Sequence, residues 1–383
     1  MASEAIGRGM TFRSAGSILV LVLLSYALGF AAYWHFLFIF DPRFETIYTY
    51  QRDLLAGHTE WVADQNRVLA PLLVEGLRRA LHLSYEGAYQ HYMFYMFVAE
   101  TLCAALLFRI CQVSMGQSLV GLLLVTTVPL ALMNLWWFSW TNLEFTIVLL
   151  TFALDASRIG RGMRIALYGC LFAAWVFTKE TSFFLAVWIG LRYGLPALGE
   201  RRWKTLGLLA ALCLGMVAVS AGVVSGLRHG LFVSGTNPAY PSGMPDDLPT
   251  VLGGTHLYSM NPVNVLRVVR NYRAFLTFRL PWPLWGNRHF LDWSVGMIEM
   301  LTTLAILVGC AIWAFWHQAL RLLALALMGL IYVVMLFLIT NTAEADKLMP
   351  VVAMGAYAYA ILARPRPGTG IRASLHEPAA AIA

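Results

Sequence analysis

Two acidic residues stand beside the end of the first long apolar stretch of the chain. Asp41 follows that stretch directly and Glu45 comes four residues later, so on a helical turn both would share one face. A carboxylate at a membrane edge, partly removed from water, can act as a general base. We therefore predict that Asp41 or Glu45 is a catalytic base. The alternative is that both are interfacial residues at a helix end, which Pro42 supports.

Several charged residues farther along could hold an anion. Arg67 precedes an apolar run, and its guanidinium would either bind a phosphate through two hydrogen bonds or contact lipid headgroups. Lys179 and Glu180 stand between two short apolar runs, as part of a site or as a local ion pair. Substrate-binding roles are predicted for these residues and for three that precede the last apolar run, Glu344, Asp346 and Lys347.

Each of these assignments competes with a simpler one. The acids at 344 and 346 suit the start of a helix, because negative charge complements the helix dipole there, whereas Lys347 is less expected. Glu100 and Glu144 lie within apolar runs, where a carboxylate is costly and needs a reason. For Glu100, a buried partner and a proton path are both open.

The composition indicates which kind of fold positions these charged side chains. The chain has 383 residues, of which 59% are hydrophobic and 12% charged, and its mean hydropathy is +0.67; a soluble domain carries about twice that charge. Apolar runs of about 16 to 25 residues are long enough to cross a bilayer as helices. We predict an all-α, multi-pass membrane protein with about ten spans, at 17–40, 90–110, 118–137, 142–156, 163–178, 180–198, 205–227, 294–316, 319–340 and 347–363. An amphipathic interfacial helix is predicted at 68–83.

The distribution of charge predicts the orientation. With the N-terminus in the cytoplasm, alternate short loops carry basic residues, as the positive-inside rule requires: Arg109; Arg158, Arg161 and Arg164; Arg201, Arg202 and Lys204; Arg321; and Arg364, Arg366 and Arg372. Residues 1–363 then form one transmembrane domain with outer loops at about 41–89 and 230–292. Both termini are cytoplasmic, and the tail 364–383 is predicted to be disordered.

Other classes of function lack their signatures. There is no P-loop, GxGxxG, GxSxG or HExxH motif, and the five cysteines have no metal-ligand spacing. No cofactor is predicted, although a divalent metal is left open. No basic stripe with interleaved aromatics lies outside the apolar runs, so nucleic acid is not an expected partner.

The layout of these motifs resembles the glycosyltransferase-C superfamily of integral membrane enzymes. The resemblance rests on Asp41 after the first span; Arg67-x-Leu69-x-Pro71; Lys179-Glu180-Thr181; and Glu344-x-Asp346-Lys347-Leu348-x-Pro350. It implies a polyprenyl-phosphate sugar as donor and an acid of the first outer loop, best matched by Asp41, as base. The adjacent acidic pair usual in that superfamily is absent, because Pro42 follows Asp41, so the base remains open between Asp41 and Glu45.

The expected function is transfer of a sugar onto a lipid-linked or surface glycan, at the outer face of a membrane that we expect to be a bacterial inner membrane. Three alternatives remain. A transporter or flippase would depend on buried charges such as Glu100 and Glu299. An enzyme like the O-antigen polymerases would depend on Arg267, Arg270 and Arg273 in the long outer loop. A non-catalytic assembly subunit would not require the polar groups to converge.

Overall fold

The computed structural model describes residues 15–40, 44–55, 67–132, 139–227, 288–339 and 348–364. Within these ranges the protein is all-helical and contains no strand. A 3-10 helix spans Glu180–Phe183. The α-helices are α1 Ala15–Phe40, α2 Phe44–Leu55, α3 Leu69–Leu81, α4 Tyr85–Ile110, α5 Met115–Leu132, α6 Ser139–Ala156, α7 Arg161–Val176, α8 Phe184–Gly199, α9 Trp203–Gly226, α10 Arg288–Trp316, α11 Leu320–Ile339 and α12 Met349–Leu362.

Each apolar run that the sequence predicts as a span contains a helix, although the ends differ by a few residues. In the described part of the chain, four segments are long and apolar enough to cross a membrane: Gly16–Phe38, Tyr85–Ile110, Thr181–Gly199 and Trp203–Gly226. Four further apolar helices are shorter, at Met115–Leu130, Leu301–Trp316, Leu320–Leu336 and Met349–Leu362. These helices are consistent with a membrane protein.

The outer surface of the bundle is strongly apolar. On α9, Leu208 and Leu214 expose 67% and 70% of their area, and on α1 Leu23 exposes 59%. Monomeric soluble proteins rarely expose contiguous apolar patches of this kind, because each carries a cost of contact with water. These faces are therefore suited to contact with lipid.

Helices α4 and α6 form the centre of the bundle. Helix α4 packs against α1, α3, α5 and α6, and α6 also packs against α7 and α12. Small residues bring α1 close to α4: a Cβ added at Gly29 would lie 2.7 Å from the Cα of Val98. One turn before Gly29, the hydroxyl of Thr101 donates to the carbonyl of Ser25 at 2.8 Å. Small residues and polar contacts of this kind are typical of helix packing in membranes.

Short turns connect many of the neighbouring helices. Four of them contain a left-handed residue other than glycine, with φ between 53° and 60°: His82, Gln112, Arg201 and Gln318. The φ of His82 allows its backbone N–H to reach the carbonyl of Arg78, which ends α3. Such turns reverse the chain, so that consecutive helices pack side by side.

Two helices lie between α1 and α4. The prediction of a helix at 68–83 is confirmed by α3, which buries Ala70, Pro71 and Val74. The sequence pattern did not predict α2 as a separate helix. It has an amphipathic pattern, with Gln51 and Leu54 fully buried and Glu45 and Arg52 exposed. Both helices pack against α4, so they bring the region after the first span to the centre of the bundle.

Candidate functional site

The N-terminal turns of α6 are unusually polar for a buried helix. Ser139, Trp140, Asn142 and Glu144 are at most 1% exposed, and each contacts a different element of the bundle. We call these residues, together with Glu100, Arg67, Trp175, Lys179 and Thr181, the α6 cluster.

The α6 cluster contains a buried ion pair between Lys179 and Glu144. The ammonium of Lys179 is 2.7 Å from Oε2 of Glu144, and the two side chains are 4% and 0% exposed. The hydroxyl of Thr181 donates to Oε1 of the same carboxylate. The indole N–H of Trp175 lies 3.4 Å from that oxygen and 3.3 Å from the Thr181 hydroxyl. Both oxygens of Glu144 are therefore engaged, as a buried charge requires.

The backbone around Lys179 explains how this side chain reaches α6. Helix α7 ends at Val176, and the Lys179 N–H closes a last turn onto the carbonyl of Trp175 at 2.8 Å. Lys179 itself is extended, with φ −162° and ψ 150°, before the 3-10 helix begins. This break between two helices turns the side chain back toward Glu144. Lys179 therefore pairs with a residue 35 positions earlier.

Arg67 joins the same cluster from the start of α3. It is 7% exposed, and its guanidinium carbon lies 5.4 Å from the centroid of the Trp140 ring. Trp140 is one helical turn before Glu144 on α6. The N–H of Leu69 donates to the carbonyl of Phe177 at 2.9 Å, which ties the Arg67 segment to the Lys179 segment. Two of the predicted phosphate-binding cations thus belong to one cluster.

A second acid enters from α4. The amide of Asn142 donates to Oε1 of Glu100 at 2.7 Å, and both side chains are buried. Asn142 is two residues before Glu144, so the two side chains point to different faces of α6, and Glu100 lies on another side of that helix from the Glu144 ion pair. Of the two explanations that the sequence left open for Glu100, the structure supplies the buried partner, while a proton path stays a hypothesis.

Helix α2 is tied to the cluster by a chain of hydrogen bonds. The Ser139 hydroxyl donates to the side-chain carbonyl of Gln51 at 2.5 Å, and the Gln51 amide donates to the Tyr89 hydroxyl at 3.3 Å. The hydroxyl of Tyr92 lies 3.4 Å from the carbonyl of Ser139. These hydrogen bonds hold α2 in place, and α2 carries Glu45, one of the two predicted bases.

Of the remaining predicted site residues, only two lie within the described ranges. Glu45 is exposed, and Glu180 begins the 3-10 helix, with its side chain outside the described part. Asp41, Glu344, Asp346 and Lys347 lie outside the described residues, as do the arginines from 267 to 273. Among described residues, no group of three or more His, Cys, Asp or Glu could hold a metal ion.

Two arginines in the last turn of α3 pair with a carboxylate of the same helix. On α3, Arg78 and Arg79 each donate to Glu75 at 2.7 Å. These hydrogen bonds lower the pKa of Glu75 to about 2. Glu75 is therefore ionised at neutral pH and a poor general base.

Sequence reasoning missed part of this arrangement. It singled out Glu144 and Glu100 without partners, and it did not single out Gln51 or Ser139 as site residues. The available signal was the spacing of Ser139, Asn142 and Glu144, polar residues that recur within an otherwise apolar run.

In comparisons with known proteins, the chain matches no protein-family model, and no curated protein or solved structure shows a match to it.

Proposed function

We propose that this protein is a multi-pass membrane glycosyltransferase that moves a sugar from a polyprenyl-phosphate donor onto a lipid-linked or surface glycan. The observation that supports it is the α6 cluster, which gathers Arg67 and Lys179 from segments more than a hundred residues apart. Two cations beside a buried carboxylate suit a leaving group that carries phosphate charge. The cluster also contacts α2, the helix that carries Glu45, through the hydrogen bond from Ser139 to Gln51.

The orientation in this proposal follows from the basic turns. Arg158, Arg161 and Arg164 lie at the turn between α6 and α7, and Arg201, Arg202 and Lys204 lie at the turn between α8 and α9. If these turns face the cytoplasm, the N-terminal end of α6 faces outward. Our proposal further includes ten helices that cross the membrane, cytoplasmic termini and a location in a bacterial inner membrane.

The chemistry assigns one role to each group. The base, Asp41 or Glu45, takes the proton from an acceptor hydroxyl as its oxygen attacks the anomeric carbon of the donor sugar. The bond from that carbon to the phosphate oxygen breaks, and the lipid phosphate leaves with the electron pair. Arg67 and Lys179 stabilise the charge on the leaving phosphate. Attack from the face opposite the phosphate inverts the anomeric centre.

Other residues position these groups or bind the substrates. Glu144 is a positioning residue, since it holds the ammonium of Lys179 at 2.7 Å and leaves further N–H groups of the ammonium to donate. Glu180, Glu344, Asp346 and Lys347 complete the binding of donor and acceptor in this proposal. Lipids reach the site sideways, along the apolar helix faces.

The experiment measures sugar transfer in proteoliposomes supplied with polyprenyl-phosphate sugars. We expect Arg67→Gln to lower the rate about a hundredfold, the usual cost of removing one group that stabilises developing charge. Arg79→Gln is the matched control, because Arg79 is 75% exposed. Asp41→Asn and Glu45→Gln separate the two candidate bases, and Glu86→Gln, on an exposed residue of α4, is their control.

Transfer that survives both acid substitutions would refute the assignment of the base. Transfer that Arg67→Gln leaves unchanged would refute the role of the α6 cluster. Since Lys179→Met removes a buried charge partner, the folded fraction of that variant is measured before its rate is interpreted.

One observation favours a second candidate, a transporter or flippase of lipid-linked substrate. Glu100 lies in the middle of α4 and is buried against Asn142, as expected of an acid on an ion or substrate path. This candidate predicts movement of a labelled lipid-phosphate sugar between leaflets without transfer of the sugar. Glu100→Gln would abolish that movement, whereas the glycosyltransferase proposal predicts transfer that depends on Arg67.

A further inference from the structure

Glu100 differs from the other buried acids of the described bundle in the kind of partner it has. Glu144 and Asp155 both pair with cations, at 2.7 Å and 3.4 Å. Glu100 is 4% exposed, and its hydrogen bond in the described part of the chain comes from a neutral group, the amide of Asn142, which donates to Oε1 at 2.7 Å. Glu100 is therefore a buried acid whose partner does not balance a negative charge.

Glu100 also lies far from both ends of its helix. It comes 15 residues after Tyr85 and 10 before Ile110, which is about 22 Å and 15 Å along α4 at 1.5 Å per residue. Helix α4 is long and apolar enough to cross a membrane. The charged residues of this helix, Glu86 and Arg109, stand near its ends. The carboxyl of Glu100 is therefore removed from the water on either side of the bilayer.

Three of the helices that pack against α4 bring no charge to this position. Helices α1, α5 and α12 contain no Asp, Glu, Lys or Arg between their described bounds. The histidine of α1 is exposed. The titratable residues of these three helices are Tyr26, Tyr33, His35, Tyr357 and Tyr359.

The remaining neighbours of α4, the helices α2, α3 and α6, do carry charged residues. Most of these pair within their own helix or with a residue beyond it, and none forms an ion pair with Glu100 in the described part of the chain. Arg67, just before α3, lies over the Trp140 ring instead. The residues concerned are Glu45, Arg52 and Asp53 on α2; Glu75, Arg78 and Arg79 on α3; and Glu144 and Asp155 on α6.

On α4 itself, the titratable groups around Glu100 are weak acids. Tyr92 and Cys103 interact electrostatically with Glu100, and side chains of these two types are ordinarily neutral at pH 7. His91 and Tyr95 are exposed. No described group on α4 therefore supplies a positive charge beside the carboxyl.

A carboxylate at this position would be a buried charge held by one amide. Transfer of an isolated carboxylate from water to apolar surroundings is so costly that such a group takes up a proton instead. The resulting acid has one carbonyl oxygen and one hydroxyl. The Asn142 amide needs an acceptor, so Oε1 suits the carbonyl oxygen and Oε2 suits the proton.

We propose that Glu100 is a proton-binding site in the membrane interior, which the folded protein holds as the neutral acid at pH 7. The proton is part of the contact between α4 and α6, because its loss would leave a buried carboxylate without a cation. Helix α6 thus contacts two acids in different states, Glu100 with its proton and Glu144 as the ion that pairs with Lys179. This inference goes beyond the proposed function and does not depend on sugar transfer.

The first test is infrared spectroscopy of the full-length protein at pH 7, in micelles of an alkyl maltoside, which has no carbonyl group. A protonated carboxyl has a C=O stretching band that is separate from the bands of carboxylates and amides. We expect this band in the wild type, and we expect the intensity of one carboxyl to be missing in Glu100→Gln, which keeps an acceptor for Asn142. Glu86→Gln, on an exposed residue of the same helix, is the matched control and should leave the band intact.

The second test measures unfolding in mixed micelles between pH 6 and pH 8. The folded state keeps the proton of Glu100, whereas the unfolded state exposes a carboxyl that is ionised in this range. Unfolding therefore releases one proton, so stability falls as the pH rises and the unfolding constant gains a factor of about ten per pH unit. Glu100→Gln should remove this factor and Glu86→Gln should keep it. Histidines contribute equally in all three proteins and cancel in the comparison.

Three results would overturn the proposal. One is a wild-type spectrum without a protonated carboxyl at pH 7, which needs no variant. Another is a band that Glu100→Gln leaves at full intensity, and the third is a pH dependence of unfolding that this substitution does not change. If Glu100→Gln folds poorly, the double variant Glu100→Leu, Asn142→Leu takes its place, because it replaces both hydrogen-bond partners with apolar groups.

Discussion

Helix α6 carries a buried carboxylate near each end, and the two are satisfied in different ways. Glu144 has partners on both oxygens, from Lys179 on one side and from Thr181 and Trp175 on the other. Asp155 concentrates its partners on Oδ2 and leaves Oδ1 unpaired among described residues. A fully paired carboxylate fixes the geometry around it, whereas a half-paired one retains capacity to bind. We therefore assign a positioning role to Glu144.

The largest effect that tests this comparison is expected at Lys179. Lys179→Met strands the Glu144 carboxylate in a fully buried position, and removal of one partner of such a pair costs about 3–5 kcal/mol. Denaturant unfolding in mixed micelles measures the loss. The double variant Glu144→Gln, Lys179→Met should regain most of the stability without regaining sugar transfer. An equally unstable double variant would argue against the ion pair as the cause.

The second largest effect is expected at Thr181. Thr181→Val removes a hydroxyl that donates to the Glu144 carboxylate, and a hydrogen bond to a charged group contributes about 1.5–3 kcal/mol. Thr127→Val is the matched control, because its hydroxyl donates to a backbone carbonyl on an exposed face. A loss at Thr181 no greater than at Thr127 would show that Oε1 of Glu144 does not depend on this donor.

A smaller effect is expected at the other end of α6. Asp155→Asn keeps an acceptor for Tyr357 and removes a charge whose arginine partners are partly solvated, so we expect a loss of about 1–2 kcal/mol. Unfolding is compared with that of Lys179→Met under the same conditions. If Asp155→Asn is the more destabilising of the two, the distinction between a fully paired carboxylate and a half-paired one is wrong.

The smallest effect concerns an acid outside the α6 cluster. The folded-state pKa of Glu75 is about 2, below its ordinary value near 4.5, because Arg78 and Arg79 donate to it. Its contribution to stability is therefore present above about pH 4.5 and is lost as the pH falls toward 2. Unfolding measured across this range should show a shallow decline that Glu75→Gln removes. A decline unchanged in that variant would assign the acid sensitivity to other carboxylates.

Much of the fold was predictable because apolar periodicity and length dictate helices in a chain of this composition. The runs around Tyr85–Ile110 and Trp203–Gly226 needed no tertiary information. Helix α2 was harder, since its length and mixed composition resemble those of a loop. For the site, only individual charged residues could be predicted, and not the contacts between them. Arg67 and Lys179 could be singled out by charge, but their partners come from residues far away in sequence, which local patterns do not encode.

The contact between α1 and α4 has a consequence for biogenesis. Gly29 allows α1 to reach Val98 of α4, and the helices between them, α2 and α3, both pack on α4 as well. The contacts among the first four helices can therefore form once residue 110 has left the ribosome, before α5 and α6 pack against them. Helix α6 is synthesised later and docks on a preformed α4. The polar residues of α6 thus meet Glu100 on a helix synthesised before them, and a fragment that ends within α5 would leave Glu100 without Asn142.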